Sequence, residues 1–272
     1  MARGVMEAVQ SVVYARAWPA RVLDRLPTAT RVSALRHTLD FGRGVGRPAL
    51  KVAFASDLHI GPLTPPRLLD AAFAQLEAFG ADVLVLGGDY VSLEATAAMA
   101  ARLRALVARV TAPTKIGVLG NHDLWTDHAL VEAALKEGGV SVVVNGAIRL
   151  PAPHDDVALI GIDEPWTGQP DAARAFAEAG DAAVRIAVAH APEALSHVVG
   201  RGAQLMLCGH THGGQVALPS GPVVVHGPMG RRWPSGLHDV EGMKLFVSRG
   251  LGNVELPIRA YASPDVTLFT IV

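Results

Sequence analysis

An α/β fold of two sheets flanked by helices is predicted by three observations. Short β-branched runs alternate with alanine-rich helical stretches from residue 50 to residue 136. Strand-length apolar runs then crowd the second half, with two helical stretches among them. Half of the 272 residues are hydrophobic and 18% are charged, at a mean hydropathy of +0.30. Such a chain is no disordered polymer, and it is long enough for one large core or two smaller ones.

Residues 1–48 read as a basic amphipathic arm. Positions 1–50 carry eight Arg, no Lys and three acids, a charge of +5 that the remainder offsets with −6. The total of −1 leaves no global nucleic-acid signature. Val5, Val9, Val12 and Val13 recur at i, i+4, i+7 and i+8, and Val32, Leu35 and Leu39 at i, i+3 and i+7. Both sets predict helix. Trp18-Pro19 and Pro27 divide the arm. It fits an interfacial helix with Arg toward anionic head groups and Val, Leu and Trp18 toward acyl chains. It equally fits a helix packed on the protein's own surface. Gly42, Gly44, Gly46 and Pro48 loosen the connection and place a domain boundary between 48 and 49.

In the domain 49–272, strands are expected at 50–56, 82–86 and 115–119, with helices at 66–79, 94–110 and 127–136. That is βαβ repetition, with helices against a buried sheet. Further strands are expected at 140–144, 148–150, 157–162, 184–188, 205–207, 215–218, 223–225, 245–247 and 266–271, and helices at 171–179 and 192–199. The longest stretch without Asp, Glu, Lys or Arg, 202–230, contains Pro219, Pro222 and Pro228 and cannot be an ordinary spanning helix. Residues 1–30 lack the compact apolar run of an export signal. The lone Cys208 reads as a small core hydrophobe. It fits a reducing compartment, so the expected location is cytoplasmic, peripheral at the inner membrane face.

The residues that carry chemistry follow predicted strands. They are Asp57-Leu58-His59, Gly87-Gly88-Asp89, Gly120-Asn121-His122-Asp123, His190 and Gly209-His210-Thr211-His212. Ligand sites of α/β sheets form at the carboxyl ends of strands. Carboxylates, imidazoles and one amide oxygen suit borderline ions such as Mn, Fe or Zn, and no thiolate set is present for a structural zinc. Each block alone is ordinary: Asn and Asp favour turns, and a single buried histidine is common. Five in this order, each after a strand, are hard to reconcile with chance.

This combination resembles the calcineurin-like metallophosphoesterase superfamily over residues 51–272. The resemblance implies a four-layer α/β/β/α sandwich of two mixed sheets with a dinuclear metal site at the strand C-terminal rim. It implies a first ion on Asp57, His59 and His212, a second on Asn121, His190 and His210, and Asp89 bridging both. A hydroxide shared by the ions would attack phosphorus in line while the ions stabilise the developing charge. His122 would stand over the substrate and donate to the leaving oxygen. Asp123 would support it or cap the following helix.

Asp89 is followed by Tyr90-Val91-Ser92, without the Asp-Arg-Gly extension of the protein phosphatases, and the third block ends in Asp123 instead of Glu. Neither is there the long insertion of large nucleotidases. Gly209-His210-Thr211-His212-Gly213-Gly214-Gln215, Ser248-Arg249-Gly250-Leu251-Gly252 and Pro257-Ile258-Arg259 resemble the YkuE-like (YaeI-like) branch of small bacterial phosphodiesterases. Related enzymes cleave the pyrophosphate of UDP-diacylglucosamine. The implied activity is a metal-dependent phosphoric ester hydrolase, a phosphodiesterase or pyrophosphatase, on lipid-linked or UDP-sugar-lipid substrates. Arg249 and Arg259 are expected either on substrate phosphate or in structural contacts with carboxylates and carbonyls. Trp125, Trp166 and Trp233 are candidates for the pocket wall. Two other classes stand beside the enzyme: a non-catalytic metal-binding module and a membrane-surface interaction protein. The intact ligand positions and His122 favour the enzyme.

Overall fold

The structure, a computed structural model, describes residues 9–272. Val5 lies outside them. The arm is helical at 9–13 and in α1 (Trp18–Leu23), then enters β1 (Ser33–Leu39). There follow β2 (Leu50–Ala55), α2 (Pro66–Ala78), β3 (Val83–Leu86), α3 (Ala97–Arg109), β4 (Thr114–Gly117), the short α4 (Asn121–Leu124), α5 (His128–Glu137) and β5 (Ser141–Val142). The second half comprises β6 (Gly146–Arg149), β7 (Val157–Gly161), α6 (Ala172–Glu178), β8 (Val184–Val188), α7 (Leu195–Val198) and β9 (Leu205–Cys208). It continues through β10 (Ala217–Leu218), β11 (Gly221–Pro222), α8 (Pro228–Arg232), β12 (Gly236–Val240), β13 (Met243–Val247) and β14 (Asp265–Ile271).

Two six-stranded sheets result, ordered β1-β14-β2-β3-β4-β5 and β12-β13-β9-β8-β7-β6. Both are mixed. β2 to β5 run parallel with β14 antiparallel to β2, and β13, β9, β8 and β7 run parallel between antiparallel edges β12 and β6. Strand alternation sorts side chains into separate apolar layers. Val52 and Phe54 of β2 meet Ile186 and Val188 of β8 and Leu207 of β9 between the sheets. Ala53 and Ala55 of β2 and Leu84 and Leu86 of β3 turn the other way, into a layer with residues of α2, α3 and α5. Ala187, Met206 and the buried, free Cys208 join a third layer with residues of α6 and α7. The result is the four-layer α/β/β/α sandwich. Sheets covered on both faces make strands apolar throughout, hence runs instead of alternation in the sequence.

Three helix starts are set by side-chain caps that accept a backbone N–H: Thr96 from Met99, Asp127 from Leu130 and Asp171 from Arg174. The Thr96 cap explains why the helix expected from 94 begins at Ala97.

Several expectations are corrected. Val32, Leu35 and Leu39 do not mark a helix. Residues 33–39 form β1, paired in parallel register with β14 from Ser33–Asp265 to Leu39–Ile271. Three apolar positions fit a helical period by coincidence, and the alternation Leu35, His37, Leu39 turns that face toward Phe246 and Phe269. This strand of the first sheet therefore precedes the expected boundary at 48. The strand expected at 223–225 is absent, β11 lying at Gly221–Pro222 instead, and β12 was not foreseen.

Nor is the glycine-rich connection loose. Arg43 grips Asp156 with two hydrogen bonds, Nε to Oδ2 at 2.9 Å and Nη2 to Oδ1 at 2.8 Å, and donates to the Pro48 carbonyl. Its Nη2 also lies 3.0 Å from His154 Nδ1. Upstream, the arm rests on the domain: Ala20 N donates to the Pro62 carbonyl, Arg67 N to Asp24 Oδ1, and Tyr14 Oη to the Glu255 carbonyl. Among the described residues, no helix is long and apolar enough to cross a membrane.

Candidate metal centre

Each of the five blocks sits where a strand ends in a tight turn. Asp57, His59, Asp89, His210 and His212 all have positive φ, between 43° and 70°. A side chain in that left-handed region costs about 1–2 kcal/mol per residue, so the surroundings must hold these conformations. They do so through the backbone: Asp57 N donates to the Gly88 carbonyl, His59 N to the Asp89 carbonyl and Gly209 N to the His190 carbonyl. Asp57 also accepts His210 N at 3.1 Å on both carboxylate oxygens. Two glycines are required by close approach. A β-carbon on Gly120 would meet Asp89 Oδ1 at 2.1 Å, and one on Gly209 would meet Asp57 Oδ2 at 2.1 Å.

Donor atoms from the five blocks lie close together. Asp57, His59 and His212 offer ligand atoms within 4.8 Å of one another, as do Asp89, His190 and His210. His59 Nε2 lies 3.1 Å from His212 Nε2, and His212 Nε2 lies 3.4 Å from Asp57 Oδ1. On the other side, His190 Nε2 is 3.1 Å from Asn121 Oδ1 and 3.2 Å from His210 Nδ1. Asp89 Oδ2 links the two groups, 3.5 Å from His59 Nε2 and 3.2 Å from His190 Nε2. His190 Nδ1 lies 2.8 Å from the Gly87 carbonyl, an acceptor that places a proton on Nδ1 and turns Nε2 toward Asp89 and Asn121. The donor set fits divalent ions: carboxylate, imidazole and amide oxygen, all six side chains of the two groups and the linking Asp89 buried except His210, which is half-buried.

The electrostatics also describe a cation site. Burial opposes ionisation of Asp57 and Asp89, yet His212 at the first and His190 at the second outweigh it and hold both carboxyls well below their usual range. Burial pushes the His59 imidazole down, and with the nearby His190 it brings His210 to about 3, so both offer lone pairs. At His190 burial is overcome by Asp89, which raises it to about 10. Two buried carboxylates of this kind must be matched by positive charge, which a protonated His190 or a bound cation supplies.

The remaining expected residues divide. The His122 ring stands edge-on to His59 at 4.9 Å and to Trp125 at 5.0 Å, and its nitrogen lies within 4.8 Å of donors on His59 and Asp89. Asp123 does not hold that ring. Its carboxylate accepts Asp89 N, Tyr90 N and Gly120 N at 2.8–2.9 Å, and so ties the second block's turn to the third. The cap of α5 is Asp127. Arg249 pairs with Asp265 at 2.9 Å. Arg259 donates to the carbonyls of Arg249, Ala262 and Gly252, and its Nη2 lies 3.0 Å from His212 Nδ1. Both arginines thus hold the loop after β13. Trp166 tilts over His210 at 6.1 Å, whereas Trp233 packs against the outer layer of the second sheet under Arg232.

Glu164 was not foreseen. It is fully buried, takes three hydrogen bonds on Oε2 from Trp166 and Thr167, leaves Oε1 without a partner, and faces the charge of His190. One signal could have found it: it follows β7 as the other blocks follow their strands.

A two-sheet sandwich with paired carboxylate–imidazole clusters at its rim defines a metal-dependent phosphoesterase. The family model described as calcineurin-like phosphoesterase matches residues 50–214, and the chain belongs to that family. It is an enzyme of the metal-dependent phosphoric ester hydrolase class. Among similar proteins are the uncharacterized metallophosphoesterase YkuE of Bacillus subtilis, 26% identical over all of this chain and 93% of its own, and the phosphodiesterase YaeI of Escherichia coli, 29% identical over 88% and 87%. UDP-2,3-diacylglucosamine pyrophosphatase LpxG of Chlamydia trachomatis is 24% identical over 80% of this chain and 82% of its own.

Proposed function

We propose that the protein is a phosphodiesterase or pyrophosphatase that holds two ions of the Mn, Fe or Zn type and acts on lipid-linked phosphoesters. The observation that carries this reading is Asp89, one carboxylate set between two complete donor groups. Asp57, His59 and His212 hold the first ion, Asn121, His190 and His210 the second, and Asp89 both. Ions bound there supply Lewis-acid activation of water and of the phosphoryl oxygens. His122, half-buried beside both groups, donates the proton that the leaving oxygen requires. Asp123 positions Asp89 by accepting its backbone N–H. The lipid-linked substrate draws support from the likeness to LpxG, named for a lipid-bearing UDP-sugar, and the diester chemistry from YaeI. The same reading has the arm, residues 1–48, meet an anionic membrane surface through the part that precedes β1, at the cytoplasmic face of the inner membrane.

The test is a substrate panel with manganese-loaded protein: bis-p-nitrophenyl phosphate, cyclic nucleotides and UDP-2,3-diacylglucosamine. Chelator-sensitive turnover, fastest on the lipid-bearing substrate, is expected. Equal rates on all three would remove the lipid-linked assignment, and no turnover on any would remove the catalytic one.

A further inference from the structure

Seventeen large hydrophobic side chains are exposed among the described residues, and twelve of them lie in three short segments, 9–26, 216–225 and 254–261. The segments touch. Tyr14 of the arm donates to the Glu255 carbonyl at 2.9 Å. Gln215 Nε2 donates to the carbonyls of Val254 and Leu256 at 2.9 Å, and Ala217 N to that of Ala260 at 2.8 Å. They also adjoin the metal centre: Gln215 is three residues past His212, and Arg259 reaches His212 from the third segment.

We propose that these three segments together form a bilayer-docking face, and that the substrate is an amphipathic phosphoester whose tail stays in the bilayer while its head reaches the ions. This deepens, and rests on, the membrane part of the proposed function. It differs from an arm acting alone, because two loops beside the metal ligands share the contact.

The occupant follows from chemistry. Val12 is 77% exposed, Trp18 48% and Tyr261 73%, so these apolar side chains stand out from the surface and can enter the boundary between head groups and acyl chains. The Trp18 indole N–H already donates to the Val13 carbonyl at 2.8 Å, so the ring enters the interface without losing a hydrogen bond. Arg16, Arg21, Arg25 and Arg31 are exposed in and just beyond the arm segment, four cationic side chains against Asp24 there and the exposed Glu255 of the third segment. That balance fits anionic head groups, at about 1 kcal/mol per cationic side chain near such a surface.

The experiment is co-sedimentation of the full manganese-loaded chain with vesicles of phosphatidylcholine alone or mixed equally with phosphatidylglycerol. The wild type is expected to bind the mixed vesicles, and the loop triple variant Val224→Ser, Ile258→Ser, Tyr261→Ser to bind them roughly 10-fold more weakly. The same triple variant should hydrolyse bis-p-nitrophenyl phosphate in solution at the wild-type rate, which certifies its fold. Wild-type vesicle binding by the triple variant would confine the contact to the arm and overturn the composite face. No binding by the wild type would overturn it outright. Vesicle binding is read without turnover, and a wild-type circular dichroism spectrum and Tm certify the fold of the triple variant independently, so failure of the catalytic reading leaves this outcome decisive.

Discussion

Asp89 and His122 are neighbours in space with separable duties. His122 N donates to Asp89 Oδ1 at 2.9 Å, a backbone contact that survives truncation of the imidazole. His122→Ala is therefore expected to keep its metal, read by elemental analysis, and to lose about 10²–10⁴-fold in turnover on bis-p-nitrophenyl phosphate. The imidazole is also near enough to His59 and Asp89 to serve as a ligand, so metal loss in this variant would reassign it. Asp89→Asn keeps the shape but removes the charge shared by the two groups. It is expected to lose metal from both, and full metal content would refute the shared role. The clustered residues of the candidate site were readable in the sequence because Asp, His and Asn beside glycine are conspicuous after apolar strands. Glu164 was harder to read, since its place just after β7 is the single signal and a lone Glu there does not reveal that it is buried near His190.

At the level of elements, the misread segment is the instructive one. β1 is an edge strand with half its residues facing outward, so Val32, Leu35 and Leu39 carried too little pattern to tell period 2 from period 3.6. What fixes it is non-local: pairing with β14, and the Arg43–Asp156 clamp across 113 residues, which no local window can reveal. The clamp has side chains only 2% and 7% exposed. Its hydrogen bonds to Arg43, opposed by burial, hold the Asp156 carboxyl below its ordinary range. A carboxyl depressed in the folded state contributes stability above its unfolded pKa, about 3.9, and loses it as pH falls through the folded value. Asp156→Asn is thus expected to cost about 3 kcal/mol at pH 7 by leaving Arg43 buried without a counter-charge. In urea unfolding, the gap between variant and wild type should narrow as pH drops below about 4. A gap that stays constant with pH would mean that Asp156 acts by shape alone.

For the whole molecule, the two sheets meet in an apolar layer and again at the rim. Asp57, His59, Asp89 and Asn121 follow strands of the first sheet, whereas His190, His210 and His212 follow strands of the second. Under the proposed assignment, each ion is bound by both halves of the chain. The layered fold was legible because runs of buried strand alternate with amphipathic helices. The joining of the halves was legible only through the order of the five blocks. A ligand that binds the folded state alone stabilises it by about 2.7 kcal/mol at a hundredfold excess over its dissociation constant. For a chain of this size that corresponds to about 5–10 °C in Tm per site. Chelation of the manganese-loaded protein is therefore expected to lower Tm by at least that amount, and readdition to restore it, in scanning calorimetry. Asp89→Asn should start from the lower Tm and respond to neither treatment. If chelation abolished turnover with Tm unchanged, the ions would not be joining the sheets, and the division of ligands between the two halves would have no part in stability.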